Sequence, residues 1–523
     1  MGSLNFVFLL LLFNFAGGIK EDKKHWQEVA DKELRDALSY SWNTNTAKNV
    51  VLFVGDGMSP DTITASRIYR NGEDSYLAWE RFPHVGLLKT YNSDKQAPDS
   101  ASTATALFGG VKTNYNVHGV DANVALNDCE ASLLTANRVE SIISWAQASG
   151  KSTGFVTTTR VTHATPAPLY SYGPNRKWEC ESTMPKEAVK CKDIARQLIE
   201  NEPGKSIKVI MGGGRQMLQT HVRETETDPI DTWAGRRKDG RDLINDWITD
   251  KKGKNAAFSV VQTNEELAAV DHKKTDYLLG IFANGHIPMD FKRDKSPKGQ
   301  PSLEEMTVAA LKILKKSDEG YLLVVEGGLI DYAHHRGHAA QALLETVRLS
   351  DAINATLELV DSEDTLVIVT SDHTHSLAFN GNSARGADIL GIAEVSKIEN
   401  IPYTTLSYST GGPNNIAYQV VNNKSMRINP NESDTTEFTY SQQAAIITDE
   451  AHHGGGDVAV YALGPYAHLF HTTHEQNFVA HVVAYAAKIG PYANRSSTGN
   501  QWNMVWMGSL LGLILTINAY WHM

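Results

Sequence analysis

The chain has 523 residues, 41% of them hydrophobic, a length that permits either several domains or one large α/β enzyme. It carries 60 acidic against 49 basic residues, and its formal net charge at pH 7 is -11. Because nucleic acids are bound through clustered basic side chains, this balance argues against a nucleic-acid partner and leaves carboxylates available for cations.

The N-terminus predicts a secretory signal peptide over residues 1-18. Leu4 to Phe15 form an apolar run that is too short to span a bilayer, and the small residues at 16 to 18 suit cleavage. The alternative is a buried helix. It is disfavoured because the charged segment Lys20 to Lys24 follows at once.

The next segments predict one helix and then a sheet. From about Lys24 to Tyr40, apolar residues recur at helical spacing and indicate an amphipathic N-terminal helix. Beyond it, runs rich in Val, Ile and Leu alternate with helical patterns; examples are 49–54, 152–157, 208–211, 321–325 and 365–370, and the last predicted strand is 458–463. Near-continuous apolar strands separated by helices are typical of a parallel sheet that is covered on both faces. We therefore predict an α/β fold with a large, mostly parallel central sheet.

Residues 380-448 interrupt this alternation. They are rich in Ser, Thr, Asn and Gly, and they precede the last predicted strand. A long structured insertion usually serves binding or assembly. We therefore predict an inserted subdomain within a catalytic region that covers residues 19-494.

The C-terminus predicts a GPI-anchor signal. Small polar residues at 494–499 precede a mostly apolar segment from Trp502 to Trp521, and no basic cytoplasmic stop follows. The propeptide 495-523 would be removed on attachment at Asn494, Ser496 or Ser497. A transmembrane helix is the alternative. The expected location is the cell surface, on the extracellular face of the plasma membrane.

Secretion also makes a disulfide plausible. The three cysteines Cys129, Cys180 and Cys191 allow only one. Four N-x-S/T sequons would accept glycans in the same compartment: Asn354, Asn423, Asn431 and Asn494.

Several predicted strands end in residue types that bind metals. Asp56, Glu326 and the pair Asp372-His373 each follow an apolar run directly or after a short turn. Ligands of parallel sheets bind in the crevice beyond the carboxyl ends of the strands. Carboxylates and imidazoles gathered there would repel one another unless cations lay between them. Each residue alone is an ordinary cap or structural group, but the set predicts a metal centre.

Two further segments add ligands of the same kinds. Asp331 and His335 are four residues apart, so on a helix they share one face and can bind one ion. His453 lies in a glycine-rich loop just before the last predicted strand. Mixed Asp and His ligands favour zinc, whereas Glu, Thr and Asp oxygens favour magnesium.

Ser100 is the candidate nucleophile. It opens an Ala-rich helix, where its hydroxyl would stand at the positive end of the helix dipole, and that end stabilises an alkoxide or a phosphate. Taken alone, the same position fits an ordinary Ser N-cap. The segment 157–165 supplies polar groups after another strand, and Arg176 offers a bidentate guanidinium for phosphate oxygens.

These segments resemble the animal alkaline phosphatases from about Lys24 to Tyr492. The matching stretches are Val54-Gly-Asp-Gly-Met58, Pro98-Asp-Ser-Ala101, Thr157-Thr-Thr-Arg-Val-Thr-His-Ala-Thr-Pro166, Val325-Glu-Gly-Gly328 with Ile330-Asp331 and His334-His335, and Ser371-Asp-His-Thr-His375. The resemblance implies hydrolysis of phosphate monoesters by a homodimer that associates through the N-terminal helix and the crown-like 380-448 insertion. It also implies a disulfide between Cys129 and Cys191, which leaves Cys180 unpaired.

The resemblance further implies two Zn²⁺ and one Mg²⁺ per subunit and a role for each site residue. Ser100 becomes a phosphoserine, and Arg176 clamps the non-bridging oxygens of the phosphate. The first zinc is held by Asp331, His335 and His453. The second zinc is held by Asp56, Asp372 and His373. Magnesium is held by Asp56, Thr165 and Glu326, with His163 and His375 next to the direct ligands.

The additional calcium site of the vertebrate enzymes is expected to be absent. Those enzymes carry an acidic residue directly after a Phe, but here Ala283 follows Phe282. Gln300 stands at another of the acidic positions.

Two other kinds of function are weighed against this one. A phosphodiesterase, sulfatase or phosphomutase has the same fold. However, the C/S-x-P-x-R motif of sulfatases is missing around Ser100, and diesterases generally lack the magnesium ligands. A catalytically dead surface receptor or adhesion protein would have lost at least one ligand, and none is missing.

Overall fold

The computed structural model describes residues 21–493. The chain divides into two compact units, Met1–Trp42 and Asn43–Met523. The signal peptide, the sequon at Asn494 and the anchor signal lie outside the described residues and stay predictions. Within 21–493, no helix combines the length and the apolar composition needed to cross a membrane.

The described part of the first unit, from residue 21, contains one helix, α1 (Lys23–Ser39), as predicted. The side chain of Asp22 caps it by accepting hydrogen bonds from the backbone N–H groups of Lys24 and His25. No residue of α1 is buried, and the apolar side chains of Trp26 and Leu38 are 52% and 77% exposed. The predicted apolar stripe is therefore open to solvent.

The second unit contains the other helices and all the strands of the described chain. Its helices are α2 (Pro60–Asn71), α3 (Ser100–Gly109), α4 (Cys129–Leu133), α5 (Ile142–Ala148), α6 (Ile194–Glu200), α7 (Arg215–Leu218), α8 (Leu243–Gly253), α9 (Asn264–Ala268), α10 (Leu303–Leu314), α11 (Leu329–His335), α12 (Ala339–Leu357) and α13 (Phe478–Ala487). Its strands are β1 (Asn49–Gly55), β2 (His84–Lys89), β3 (Ser152–Arg160), β4 (Val209–Gly213), β5 (Phe258–Val261), β6 (Tyr277–Ile281), β7 (Tyr321–Gly327), β8 (Thr365–Ser371), β9 (Thr374–His375), β10 (Leu377–Phe379), β11 (Ile392–Val395), β12 (Pro402–Thr404), β13 (Leu406–Gly411), β14 (Tyr418–Val421), β15 (Lys424–Arg427), β16 (Ala444–Ile447), β17 (His453–Gly454), β18 (Val458–Leu463) and β19 (Thr472–Glu475).

One large sheet organises this unit. Its ten strands follow the order β19-β2-β18-β8-β1-β7-β3-β4-β6-β5. Neighbours run parallel except around β18, which is antiparallel to both β2 and β8. The six apolar runs of the sequence are β1, β3, β4, β7, β8 and β18. The predicted large and mostly parallel sheet is confirmed.

Side chains of the central strands enter two separate cores. Val50 and Leu52 of β1 pack with residues of α3, α5 and α13. Val51 and Phe53 pack with residues of α10 and α12 on the opposite face. Burying a Val or Phe side chain stabilises the fold by roughly 1.5–3 kcal/mol. The strands are apolar without alternation because both faces are buried, and the ends of these strands form a rigid support for the site.

The predicted insertion forms small sheets. β13 and β16 form one together with β10, which lies directly before the insertion, while β11–β12 and β14–β15 form two ribbons. The insertion also holds the turn after α11, because Gln442 N donates a 2.9 Å hydrogen bond to Gly337 O. Gly337 has a φ of +65°, and a Cβ atom there would lie 2.0 Å from Asn415 Nδ2. Asn415 in turn donates to Gln442 O at 2.8 Å.

Candidate active site

The register of the sheet brings Asp56, Glu326 and Asp372 to one edge. β1 lies between β7 and β8, so that Val54 pairs with Glu326 and the last residue of β1 pairs with Ser371. Asp56 and Asp372 directly follow these strand ends, and all three carboxylates are buried. They therefore occupy the crevice where the sequence predicted a metal centre.

The carboxylates at this edge destabilise one another. Burial raises the pKa of Asp56 well above its usual range, and the charges of Asp372, Asp331 and Glu326 raise it further. Burial also raises the pKa of Glu326 and of Asp372. Among the described residues, Asp56 Oδ1, Glu326 Oε1 and Asp331 Oδ1 accept no hydrogen bond. Buried, unpartnered carboxylate oxygens of this kind fit cation ligands.

Helix α11 and strand β17 bring two imidazoles against one carboxylate. His335 Nε2 lies 3.2 Å from Asp331 Oδ2, and His453 Nε2 lies 3.0 Å from His335 Nε2. Each Nδ1 lies 2.8 Å from a backbone carbonyl, Ala451 O for His335 and Pro98 O for His453. A carbonyl only accepts, so each neutral ring carries its proton on Nδ1. The two Nε2 lone pairs then face each other, an arrangement that a cation between them stabilises.

His373 is oriented in the same way beside Ser100. Its Nδ1 lies 3.2 Å from Thr374 O, and its Nε2 lies 3.2 Å from Asp372 Oδ2 and 3.4 Å from Asp56 Oδ1. Ser100 Oγ is 3.3 Å from the same Nε2. The hydroxyl, the imidazole and two carboxylates thus converge on one point.

Asp99 links Ser100 to a guanidinium. Its side chain caps α3 by accepting from Ala101 N at 3.0 Å, and its Oδ2 pairs with Arg176 Nη1 at 3.2 Å. Arg176 Nη2 donates to His163 Nε2 at 3.4 Å. A guanidinium held in this way beside a helix N-terminus suits two oxygens of a phosphate.

In the described part of the chain, the potential ligand atoms fall into three groups, each within 4.8 Å: Asp331, His335, His375 and His453; Asp56, His163 and Glu326; Asp56, Asp331 and His373. Thr165 Oγ1 also donates to Asp56 Oδ2 at 3.3 Å. Imidazole with carboxylate suits zinc, and hydroxyl with carboxylate suits magnesium.

Comparison with known proteins identifies the family. The family profile described as alkaline phosphatase matches residues 47–489. The chain is similar to the tissue-nonspecific alkaline phosphatase of Gallus gallus, with 41% identity over 510 residues that cover 95% of each chain. The chain belongs to the alkaline phosphatase family. It is a phosphomonoesterase hydrolase of a family that binds metals.

Two further comparisons extend the family likeness. The membrane-bound alkaline phosphatase of Bombyx mori is 38% identical over 89% of this chain and 84% of its own. The structure of the Thermus thermophilus alkaline phosphatase has the same fold, with a TM-score of 0.59, 23% identity and coverage of 86% of this chain and 93% of its own.

Within this site, His375 differs from the other histidines in which ring nitrogen carries the proton. His375 Nδ1 accepts a hydrogen bond from Ser376 N at 3.1 Å, so the proton of the neutral ring lies on Nε2. That Nε2 is 3.6 Å from Asp331 Oδ1. It therefore directs an N–H group, not a lone pair, towards the carboxylate. The predicted position of His375 next to the direct ligands stays a prediction.

The contacts of three other threonines with the carboxylates were not predicted from the sequence, which gave 157–165 only as a segment of polar groups and assigned a role to Thr165. Thr157 Oγ1 and Thr159 Oγ1 both donate to Glu326 Oε2, the second at 3.2 Å. Thr103 Oγ1 donates to Asp372 Oδ2 at 3.2 Å. The pairing of β3 with β7 places Thr157 opposite Glu326, and only the strand order reveals this contact.

The disulfide prediction is confirmed. Cys129 and Cys191 are bonded, with Cα atoms 6.0 Å apart, and Cys180 is free and buried. The described sequons are exposed at Asn354, Asn423 and Asn431, while their glycosylation stays a prediction. At the expected calcium positions, Ala283 and Gln300 are buried residues without a carboxylate. The absence of that ion also stays a prediction.

The site opens into a cleft of about 730 Å³. Its lining includes the proposed site residues Arg176, Asp331, His335 and His453, together with Tyr115, Lys177, Trp233, Tyr332 and Arg336. Its volume lies in the range of small-molecule sites.

Proposed function

We propose that this phosphatase hydrolyses small-molecule phosphate monoesters to an alcohol and inorganic phosphate through a phosphoserine on Ser100, at a centre of two Zn²⁺ and one Mg²⁺. The observation that carries the proposal is the convergence on His373 Nε2, with Ser100 Oγ at 3.3 Å and two buried carboxylates at similar range. A lone N-cap serine has no such surroundings.

The ligand assignment follows the donor types. Asp331, His335 and His453 would hold the first zinc; Asp56, Asp372 and His373 the second; Asp56, Thr165 and Glu326 the magnesium. The carbonyl contacts of the three imidazoles support this assignment, because they leave each Nε2 lone pair available. When bound, the ions supply positive charge near the phosphoryl oxygens and lower the pKa of bound water.

The chain's own groups orient and carry the phosphoryl group. Ser100 Oγ attacks the phosphorus, the bond from phosphorus to the ester oxygen breaks, and the alcohol leaves with a proton. In a second displacement, a water oxygen replaces Ser100 Oγ at phosphorus, and Ser100 regains its proton. Arg176, fixed by Asp99 and His163, aligns the non-bridging oxygens throughout.

The test compares the purified wild type with Ser100→Ala on a chromogenic phosphate monoester at alkaline pH. We expect the variant to lose activity by about a thousandfold or more, because no other hydroxyl takes the nucleophile's place. Chelation should abolish the wild-type activity, and zinc with magnesium should restore it. A substrate labelled in its phosphate should leave an acid-stable label on the wild type and none on Ser100→Ala.

Ser102→Ala is the matched control for the labelling. Ser102 lies two residues beyond Ser100 in the same helix, but its Oγ donates to Asp99 Oδ1 at 2.7 Å, so its removal should leave the label in place. A label that persists in Ser100→Ala would refute the phosphoserine. An inactive wild type with both metals bound would instead favour the anchored receptor.

We also infer a glycosylated homodimer held at the extracellular face of the plasma membrane by a GPI anchor. The C-terminal sequence pattern and the similarity to a membrane-bound relative support the anchor. A GPI-specific phospholipase should release the activity from expressing cells; activity that stays on the cells would indicate a transmembrane helix instead.

A further inference from the structure

Two cations in the cleft have no carboxylate partner among the described residues. Lys177 directly follows Arg176, and Arg336 directly follows His335, so each lies one position from a proposed site residue. Both are exposed and both line the cleft. Unneutralised cations at such positions attract anionic ligands.

The nearby acidic groups are already engaged. Glu179 and Asp231 line the same cleft, but both pair with Arg160, at 2.7 and 2.9 Å. They are therefore poor partners for Lys177 and Arg336. Glu450, a third acidic residue of the lining, lies 3.4 Å from His335 Nδ1. Lys177 and Arg336 are therefore available to a substrate.

Arg336 is held in place although it is exposed. Its guanidinium carbon lies 3.5 Å from the centre of the Tyr332 ring, and its Nη2 donates to Tyr332 Oη at 2.5 Å. Its Nη1 donates to Tyr332 O at 3.3 Å. A guanidinium has further N–H donors, so those of Arg336 remain available to an anion.

Trp233 is a large aromatic side chain presented on a fixed loop. The side chain is 94% exposed, yet Trp233 N and Ala234 N both donate to Asp231 Oδ1, at 3.0 and 3.3 Å. Asp231 Oδ2 is bound to Arg160, and Gln216 Nε2 donates to Asp231 O at 3.0 Å. An exposed indole on such an anchored backbone is suited to stacking against a ligand ring.

We propose that Trp233, Arg336 and Lys177 form a leaving-group site that selects substrates whose leaving group carries both an aromatic ring and a second phosphate, as in a nucleoside diphosphate. This inference rests on the proposed function. The terminal phosphoryl group reacts at Ser100, the cations bind the remaining phosphate, and the base stacks on the indole. The bond from the terminal phosphorus to the bridging oxygen breaks, that oxygen leaves on the nucleoside monophosphate, and water supplies its replacement.

The experiment compares four substrates on the metal-loaded full chain. ADP carries both features, 4-nitrophenyl phosphate only the ring, pyrophosphate only the second phosphate, and glycerol 2-phosphate neither. We expect Trp233→Ala to lower kcat/KM for ADP relative to pyrophosphate by about tenfold, mainly through KM. We expect Arg336→Gln to lower kcat/KM for ADP relative to 4-nitrophenyl phosphate by about tenfold, and Arg336→Lys to restore part of it.

Two exposed residues elsewhere serve as controls. Val189, which is 83% exposed, is matched to Trp233, and Lys274, whose side chain is 86% exposed, is matched to Lys177. Val189→Ala and Lys274→Ala should leave kcat/KM for ADP unchanged relative to both pyrophosphate and 4-nitrophenyl phosphate. Lys177→Ala should lower kcat/KM for ADP relative to 4-nitrophenyl phosphate.

The results separate failure of the leaving-group site from failure of the proposed function. If Trp233→Ala and Arg336→Gln lower kcat/KM equally for all four substrates, or leave the ratios of kcat/KM unchanged, the leaving-group site is overturned and the phosphatase activity still stands. A wild type that cleaves none of the four would overturn the proposed function. In that case, calorimetry with AMP tests the leaving-group site separately. Weaker binding of AMP to Trp233→Ala than to the wild type would support the site, and equal binding would overturn it.

Discussion

Glu345 is a buried carboxylate outside the proposed catalytic site. Its Oε1 accepts a 2.7 Å hydrogen bond from Asp290 N, and the carboxylate of Asp290 pairs with Arg293 and Arg348. Burial raises the pKa of Glu345 to about 7, because the water that would stabilise its charge is excluded. The folded chain therefore holds a proton on this group more tightly than the unfolded chain does.

We expect Glu345→Gln to flatten the pH dependence of stability. The folded pKa of about 7 lies above the unfolded value, so the stabilisation by Glu345 is complete below the unfolded pKa and is lost as the pH rises through about 7. The free energy of unfolding of the wild type should thus fall, relative to the variant, from about pH 5 to about pH 8. Urea unfolding across this range measures it. Glu363→Gln, at an exposed glutamate, is the control, and parallel curves for the wild type and Glu345→Gln would contradict the expectation.

At the level of single residues, the sequence indicated the ligand candidates but not their protonation. Asp331 and His335 were recognisable from helical spacing, and Asp372 from its place after a strand. His335 and His375 look alike in sequence. They differ because one Nδ1 faces a carbonyl, Ala451 O, while the other accepts from a backbone N–H. Such contacts depend on the folded backbone and leave no local pattern.

Among the elements, α11 is held by the insertion and by the loop that follows it. It is a short helix with two proposed zinc ligands, and its C-terminal turn is held by Ala451 N, which donates to His335 O at 2.9 Å. Gln442 adds the bond to Gly337 O. The position of His335 is thus coupled to residues more than one hundred positions further along the chain.

We expect Gly337→Ala to destabilise the protein by about 2–4 kcal/mol and to weaken zinc retention. The added Cβ would meet Asn415 Nδ2 at 2.0 Å, in addition to the cost of a φ of +65°. Gly240→Ala is the matched control, because Gly240 has a φ of +82° and no atom within 4 Å of the added Cβ, so only the backbone cost of about 1 kcal/mol applies. Denaturant unfolding and competition with a zinc chelator measure the two effects. An equal loss of stability in the two variants would show that the Asn415 side chain moves away from the added Cβ without an energetic penalty.

The elements themselves were predictable where both sides of a strand are buried. β1, β7 and β8 are continuous apolar runs for this reason. β19 was not predicted, since Thr472–Glu475 is a polar segment at the edge of the sheet whose strand character comes from pairing with β2. The insertion was recognised by composition alone, and its small sheets follow from contacts that no periodicity in the sequence displays.

At the scale of the whole molecule, exposed apolar side chains lie on the insertion as well as on α1. Val420 is 77% exposed and Ile446 is 60% exposed. Apolar surface of this kind marks a site of association, and the resemblance to the family suggests a second copy of this chain as the partner. Dimerisation itself was proposed from the resemblance, because the sequence of the insertion contains no pattern that identifies the partner of its surface.

We expect the wild type to sediment as a dimer and the double variant Val420→Asp with Ile446→Asp to sediment as a monomer, because each substitution would bury a charge against apolar surface. Sedimentation equilibrium measures both. Val189→Asp is the control, since Val189 is 83% exposed but lies outside the insertion. A double variant that stays dimeric would exclude this surface from the interface.

The proposed ligands are spread along almost the whole described chain, from Asp56 after β1 to His453 beside the last central strand. Each proposed ion site combines residues that lie far apart in the sequence. Under the proposed assignment, the first zinc site would be complete only when His453, just before β18, has folded, whereas the proposed ligands of the second zinc and of magnesium all lie at or before residue 373. Bound in this way, the ions would connect early and late parts of the chain, and the stability of the enzyme would depend on the concentration of free zinc.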